Sequence, residues 1–313
     1  LSPVRAGPGA AERQRAAQRA KRNGIKAGIL LAALGAIAFS GKAIIVKLAY
    51  RYGVDAVTVL MYRMLFALPM FVALAWWGGR GRRPLKRHDW YAVLGLGFCG
   101  YYLASYLDFL GLQYVTASLE RLLLYLNPTL VLLLGWLLFR KTVKPMQLVA
   151  MAVSYAGIAL VFGHEFKLEG QNVALGATLV LGSAVSYAVY LVYSGQVVNR
   201  IGSLRLTGAA TSVACVLCIA QFVVLRPLEA AQVPEPVVWL SLLNAVACTF
   251  VPVLAVMMAI ERVGAAIAAQ AGMLGPMSTI AMGVLLLGEP MNAWIVAGTL
   301  LVLGGVWLLA HSR

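Results

Sequence analysis

Five ionisable residues, Lys42, Arg63, Asp108, Glu120 and Arg121, stand inside long apolar runs. A charge at membrane depth is costly, so such residues either pair with one another or mark a ligand path. Counted along helices of about 1.5 Å rise per residue, Lys42 falls about fifteen residues into its run and Arg63 about eight into the next. With Asp108, Glu120 and Arg121 they occupy the same end of the first half of the chain. Fully ionised, the set sums to +1. Two chemistries fit it. In one, Lys42 or Arg63 pairs with Asp108 and Arg121 with Glu120 or another acid, bracing that end. In the other, the carboxylate or phosphate of a small-molecule substrate completes the set. Asp108 or Glu120 also has the chemistry to load a proton, which keeps proton coupling open. Glu120 and Arg121 are adjacent in sequence, which on a helix turns them about 100° apart and does not bring them together.

Uncharged polar groups extend the set. Tyr101, Ser105 and Asp108 follow steps of four and three, which place them on one helix stripe. Arg121, Tyr125 and Pro128 do the same in the following run. Tyr187 and Tyr190 sit deep in a later run, where an unpaired hydroxyl is costly, and are expected to line a polar cavity. Tyr193, nearer a run's end, reads as an interface anchor. Asn244 and Gln270 are equally interhelical hydrogen bonders or lining groups. Pro128 and Pro276 each remove a helix hydrogen bond in mid-run. That makes either a static kink or a matched pair of hinges.

The elements that position these residues follow from composition. The chain has 313 residues, 61% of them hydrophobic and 12% charged. Soluble domains are about a quarter charged. The deficit excludes an ordinary cytosolic enzyme, a disordered chain and a coiled coil. No zinc-protease, nucleophile-elbow, Walker or dinucleotide pattern occurs. His88, His164 and His311 are expected at or outside run ends, leaving no histidine base at membrane depth. Cys99, Cys215, Cys218 and Cys248 lie in apolar runs, and no polar group flanks the C-x-x-C pair. Neither an enzyme, a metal nor a cofactor is expected. The net charge of +15 would suggest nucleic acid in a soluble protein. In a membrane protein it is the ordinary surplus of Lys and Arg in cytoplasmic loops, and no nucleic-acid partner is expected.

Apolar runs recur at 27–49, 55–77, 90–112, 116–139, 146–163, 173–197, 205–225, 237–259, 263–287 and 292–310. Each approaches the roughly 20 residues of a membrane-spanning helix. The expected fold is all-α and integral to the lipid bilayer, with ten transmembrane helices. Residues 1–26 form a basic tail, 27–163 a first unit and 173–310 a second. With the amino terminus inside, 19 Lys and Arg fall on inner segments and 3 on outer loops. That bias places both termini in the cytoplasm of a multi-pass inner (plasma) membrane protein.

The halves repeat. A shift of 148 brings Gly28 onto Gly176, Pro128 onto Pro276, Gly135 onto Gly283 and Gly157 onto Gly305. From Tyr114 to Phe162 the register is ungapped, with nine of forty-nine positions identical. Five spans per half is an odd number, so the second half enters from the opposite side. Two inverted five-helix repeats are the architecture of many secondary transporters, which switch access around a midplane site.

The segments Arg262–Val263–Gly264–Ala265–Ala266, Gly275–Pro276, Leu287–Gly288–Glu289–Pro290, Gly298 and Gly304–Gly305 strongly resemble the EamA repeat of the drug/metabolite transporter superfamily. The first half shows the same frame in Val115–Thr116–Ala117–Ser118, Asn127–Pro128 and Gly157, and Arg63 stands where this family often places an arginine. The resemblance covers nearly everything after residue 27. It implies a central cavity among spans 1–4 and 6–9, with spans 5 and 10 peripheral. It also implies transport of small metabolites. A monomer or homodimer is expected. Two departures stand out. Arg140–Lys141 replaces the usual Gly-Glu after span 4, and Glu120–Arg121 stands where the second half has Ala268–Ala269. Charges in the first half with hydroxyls, amides and aromatics in the second suit a solute with a charged end and an apolar body. Export of amino acids is the leading expectation. Carriage of nucleotide-sugars, vitamins or drugs and a non-transporting membrane sensor are the alternatives.

Overall fold

The computed structural model describes residues 8–140, 143–169, 171–256, 258–259, 262–263 and 274–311. Among the described residues the secondary structure is helical, without a strand. The helices are α1 (Pro8–Tyr50), α2 (Ala56–Gly79), α3 (Arg87–Gly111), α4 (Ala117–Phe139), α5 (Pro145–Glu169), α6 (Gln171–Ile201), α7 (Ser203–Leu225), α8 (Glu235–Val256), α9 (Leu274–Leu287) and α10 (Ala293–His311). Eight of them, α1 to α8, are long and apolar enough to cross a membrane, and α9 and α10 are shorter apolar helices. Part of the basic tail is helical too. From Pro8 the helix runs unbroken to Tyr50, as alanine-rich sequence with no further proline favours.

Local chemistry sets the boundaries. Asp55 caps α2, its Oδ1 accepting the amides of Val57 and Thr58. Thr116 caps α4 by accepting the Leu119 amide at 3.0 Å. Arg140 and Gly288 close α4 and α9 in left-handed conformation, with φ of 51° and 73°.

Several helices are interrupted. A π-turn spans Phe98–Leu103 in α3, and another spans Val246–Phe250 in α8. Helix α4 breaks at Tyr125 and Leu126, then restarts at Asn127. This corrects the expectation for Pro128. It lies in the first turn of the restarted segment, where no intrahelical amide donor is called for, so it removes no mid-helix hydrogen bond. Pro276 lies two residues into the described part of α9.

The offset of 148 holds in the geometry. It carries the first residue of α3, Arg87, onto that of α8, Glu235, and the first of α5, Pro145, onto that of α10, Ala293. It carries the π-turn at 98 onto the one at 246. Contacts map as well. Gly28 lies against Arg262 and Val263, while its counterpart Gly176 lies against Tyr114 and Val115, the counterparts of those two. Ala32 packs with Ala259, and Gly111 with Val180, again the mapped pair. Helices α5 and α10 meet through Gly157 on the Gly298 carbonyl and Gly305 on the Ala150 carbonyl. Each of those contacts is the other with the halves exchanged.

Loops gather at two ends. At the Asp55 end, Arg226 pairs with Asp55 at 3.2 Å, Tyr62 donates to the Ala231 carbonyl at 2.6 Å and Arg51 to the Leu287 carbonyl at 2.5 Å. At the Asp89 end, Arg200 pairs with Asp89 at 2.6 Å and Arg205 donates to the Arg83 carbonyl at 2.7 Å. Between the ends, large apolar side chains such as Trp76, Trp77, Leu137, Leu285 and Trp307 point outward. A bilayer satisfies such a surface, and helices satisfy their own backbone within it.

Candidate functional site

A cavity of about 590 Å³ lies between α1, α2, α3, α4, α6, α7 and α8. Its wall starts at Lys42, Asp108 and Arg121 and continues on α6 and α7 to Val198 and Ser203, at the Asp89 end. Beyond the charged residues, toward the Asp55 end, comes a packed layer that includes Val46, Phe109, Leu112 and Val115, all buried. The cavity is therefore stopped at one end by apolar packing and extends to the other.

The wall obeys the same offset. Phe39 answers Tyr187, Lys42 answers Tyr190, Arg63 answers Thr211, Tyr101 answers Thr249 and Asp108 answers Val256, and all ten line the cavity. Two of these positions depend on the π-turns. A π-turn is a single-turn bulge in an α-helix, and it changes the direction in which the following side chains point. In α8 the Thr249 hydroxyl donates to the Asn244 carbonyl at 2.9 Å and accepts from Arg63 Nε at 3.0 Å. In α3 the matching turn carries Tyr101, whose hydroxyl stands 3.1 Å from that of Tyr190.

The charged cluster is organised around Lys42. Its ammonium lies 2.5 Å from Asp108 Oδ2 and 3.1 Å from Glu120 Oε1. One cation thus holds two acids from different helices. Glu120 is fully buried and is not part of the wall. Arg121 does not take Glu120. Its Nη2 donates to the Ser40 hydroxyl at 2.8 Å, and its guanidinium lies 5.1 Å from the Phe39 ring centre and 6.0 Å from that of Tyr125. Ser40 in turn donates to the Gly275 carbonyl at 2.8 Å. Arg63 lies 5.2 Å from the Phe109 ring centre.

Of the expected residues, Lys42, Arg63, Tyr101, Asp108, Arg121, Tyr125, Tyr187 and Tyr190 share this wall. Tyr187 and Tyr190 stack with ring centres 5.5 Å apart, and Tyr190 meets Tyr101 edge-on at 5.0 Å. Asn244 lies behind the wall, its amide 3.4 Å from the Lys42 carbonyl. Gln270 lies outside the described residues. Residue types alone missed Phe39, Ser40 and Thr249. The offset was signal enough for two of them, since Phe39 pairs with Tyr187 and Thr249 with Tyr101.

Glu289 was also missed as a structural group. Its Oε1 accepts the Ala117 amide at 2.7 Å, and its Oε2 accepts the Ser118 amide at 3.3 Å and the Ser118 hydroxyl at 2.9 Å. A carboxylate there complements the α4 amino terminus. Lys47 donates to the Val115 carbonyl at 2.6 Å and lies 3.8 Å from Glu289. These contacts tie the two halves together over the charged end.

A family model described as the EamA-like transporter family matches residues 26–163 and 174–310. The uncharacterized transporter YcbK of Bacillus subtilis (strain 168) is 32% identical over 312 residues, covering 94% of this chain and 95% of its own. The uncharacterized transporter sll1319 of Synechocystis sp. is 22% identical over 310 residues, covering 91% and 94%. A crystal structure at 16% identity matches with a TM-score of 0.60 over 90% of this chain and 96% of that one, which shows a shared fold. With a matching model over both halves and a relative of this identity along nearly its whole length, the chain is a multi-pass membrane protein and belongs to the EamA-like transporter family.

Proposed function

We propose that this protein is a secondary transporter that moves small polar or amphipathic metabolites, amino acids among them, by alternating access. One observation carries the reading. The cavity wall is built from positions that repeat at the offset of 148, and it extends to one end of the molecule while a packed layer stops it at the other. Two related halves can exchange conformations, which moves the packed layer from one end to the other. The paired contacts of α5 with α10, and of Gly28 and Gly176 with their partners, support a two-fold relation between inverted five-helix units. On that reading α9 and α10 complete ten spans.

The excess of Lys and Arg on the segments of the Asp89 end supports a cytoplasmic placement for that end and for both termini, in the plasma membrane. The described conformation is then the one open to the cytoplasm, and the proposed direction is export. With no nucleotide-binding motif in the sequence, the energy comes from a gradient, with proton exchange on Asp108 or Glu120 as one route. Hinge motion is assigned to the α4 break beside Pro128 and to the Gly275–Pro276 segment, which contacts Arg121 and Tyr125.

Reconstitution of the purified chain into liposomes tests this. Labelled amino acids, nucleotide-sugars, vitamins and drugs are loaded singly, with and without a pH gradient. Counterflow of at least one class supports the transporter. Binding without flux for every class supports the sensor instead.

A further inference from the structure

Resting on the transporter reading and narrowing its solute class, we propose that the cavity prefers organic anions to zwitterionic amino acids: a carboxylate head with no neighbouring ammonium, on an apolar or aromatic body. Three cations and one acid line the charged end, Lys42, Arg63 and Arg121 against Asp108, with Glu120 just behind. Both acids are held by Lys42. Among the described residues neither guanidinium has an ion-pair partner. Arg63 has the Thr249 hydroxyl, Arg121 has the Ser40 hydroxyl, and each lies over an aromatic ring. Arg121 Nε is buried with no acceptor. A guanidinium does not deprotonate in a protein, so it cannot relieve its burial that way. A hydroxyl and a ring stabilise it less than a carboxylate does. With both acids ionised, an entering monoanion brings the cluster from +1 to neutrality.

An ammonium meets the opposite field. Among the described residues the one acid on the wall is Asp108, whose Oδ1 has no hydrogen-bond donor. Its Oδ2 already contacts Lys42, so an ammonium at Oδ1 sits beside that cation and beside two guanidiniums. The mapped positions in the second half carry no charge: Tyr190 for Lys42, Thr211 for Arg63, Val256 for Asp108. Among the described lining residues the charge therefore gathers at one pole. Seven residues back along α3 from Asp108, about 10 Å, stands Tyr101, joined to Tyr190 and Tyr187. These three rings offer the face for an apolar body.

The test uses the purified full-length chain and matched triplets. One is 3-phenylpropanoate, phenylalanine and 2-phenylethylamine, and the other is 4-methylpentanoate, leucine and 3-methylbutylamine. Calorimetry is expected to rank carboxylate at least tenfold tighter than amino acid, with the amine weakest. Arg63→Gln and Arg121→Gln each reduce that preference at least tenfold, while Arg121→Lys keeps the order. The wild-type ranking alone decides the matter if a variant fails to fold. Amino acids binding as tightly as their carboxylates, or no carboxylate binding at all, overturns the proposal. Flux separates the two readings. Carboxylates that bind but never cross overturn transport and leave this selectivity standing. Counterflow of amino acids without carboxylates overturns the selectivity and leaves transport standing.

Discussion

Lys42 on α1 meets Asp108 on α3 at 2.5 Å, and the same ammonium reaches Glu120 on α4 at 3.1 Å. A single cation therefore joins three helices at the closed end of the cavity. The two acids are not equivalent. Asp108 faces the cavity, and Glu120 is fully buried behind it. Removing one partner of a buried ion pair leaves an uncompensated charge, which costs more than losing the pair's own attraction.

Lys42→Met is expected to be the most destabilising single change in this cluster. It leaves two carboxylates facing each other, and the cost expected for an orphaned buried charge is roughly 3–5 kcal/mol. Asp108→Asn is milder, because Glu120 still neutralises Lys42. Thermal unfolding of the purified variants in one detergent checks the order. A Lys42→Met protein as stable as Asp108→Asn refutes the shared-cation picture.

Glu289→Gln is expected to loosen the Asp55 end. The carboxylate holds two amides and one hydroxyl at the start of α4. Charge-assisted hydrogen bonds contribute about 1.5–3 kcal/mol each, of which a neutral amide recovers part. Hydrogen exchange of the Ala117 and Ser118 amides reads the change. An acceleration of about tenfold, the equivalent of roughly 1.4 kcal/mol for this local opening, is expected. Unchanged exchange sinks the assignment of Glu289 as the clasp between halves.

Much of the architecture was legible in the chain because its signals are covalent and periodic. The runs, the glycines at 28, 157, 176 and 305 and the offset of 148 all follow from spacing, and the contacts of Gly28 and Gly176 repeat that spacing in space. The buried charges were legible because a bilayer makes each one conspicuous. Their partners were not. Whether Lys42 or Arg63 takes Asp108 depends on helix rotation by a fraction of a turn. The π-turns at 98 and 246 supply such rotations with no composition signature. Pro128 misled for a related reason. Proline breaks a helix interior but suits a helix start, and only the break at Tyr125 and Leu126 tells which applies.

The α5–α10 seam allows a test within one helix. A Cβ on Gly305 would lie 2.7 Å from the Ala150 carbonyl, whereas one on its neighbour Gly304 meets nothing within 4 Å. Gly305→Ala is expected to cost about 1–3 kcal/mol by overpacking. Gly304→Ala is expected to be neutral or to stabilise by up to about 1 kcal/mol, since helical glycine is unfavourable. Gly157→Ala should match Gly305→Ala, because it meets the Gly298 carbonyl at the same 2.7 Å. Unfolding midpoints of the three variants decide whether the seam is as close as described.

The last prediction concerns pH and the Asp55 end. Burial pushes the Asp55 carboxyl up, but its bonds with the Thr58 hydroxyl and the Thr58 and Val57 amides and the Arg226 guanidinium outweigh that, and the net direction is down. A depressed carboxylate adds stability above its unfolded pKa, about 3.9, and that stability is lost as pH falls through the lower folded value. Asn at this position keeps an acceptor for the α2 cap while removing the charge. Wild type should therefore unfold at higher temperature than Asp55→Asn near pH 7. The gap should begin to narrow as pH drops below about 4, where the unfolded carboxyl takes up a proton, and should close once pH falls below the lower folded value. Because the site is half exposed, the gap should also shrink in high salt. A gap that persists in acid below the folded value would assign the difference to cap geometry rather than to charge, and would remove Arg226 as a contributor to closure at this end.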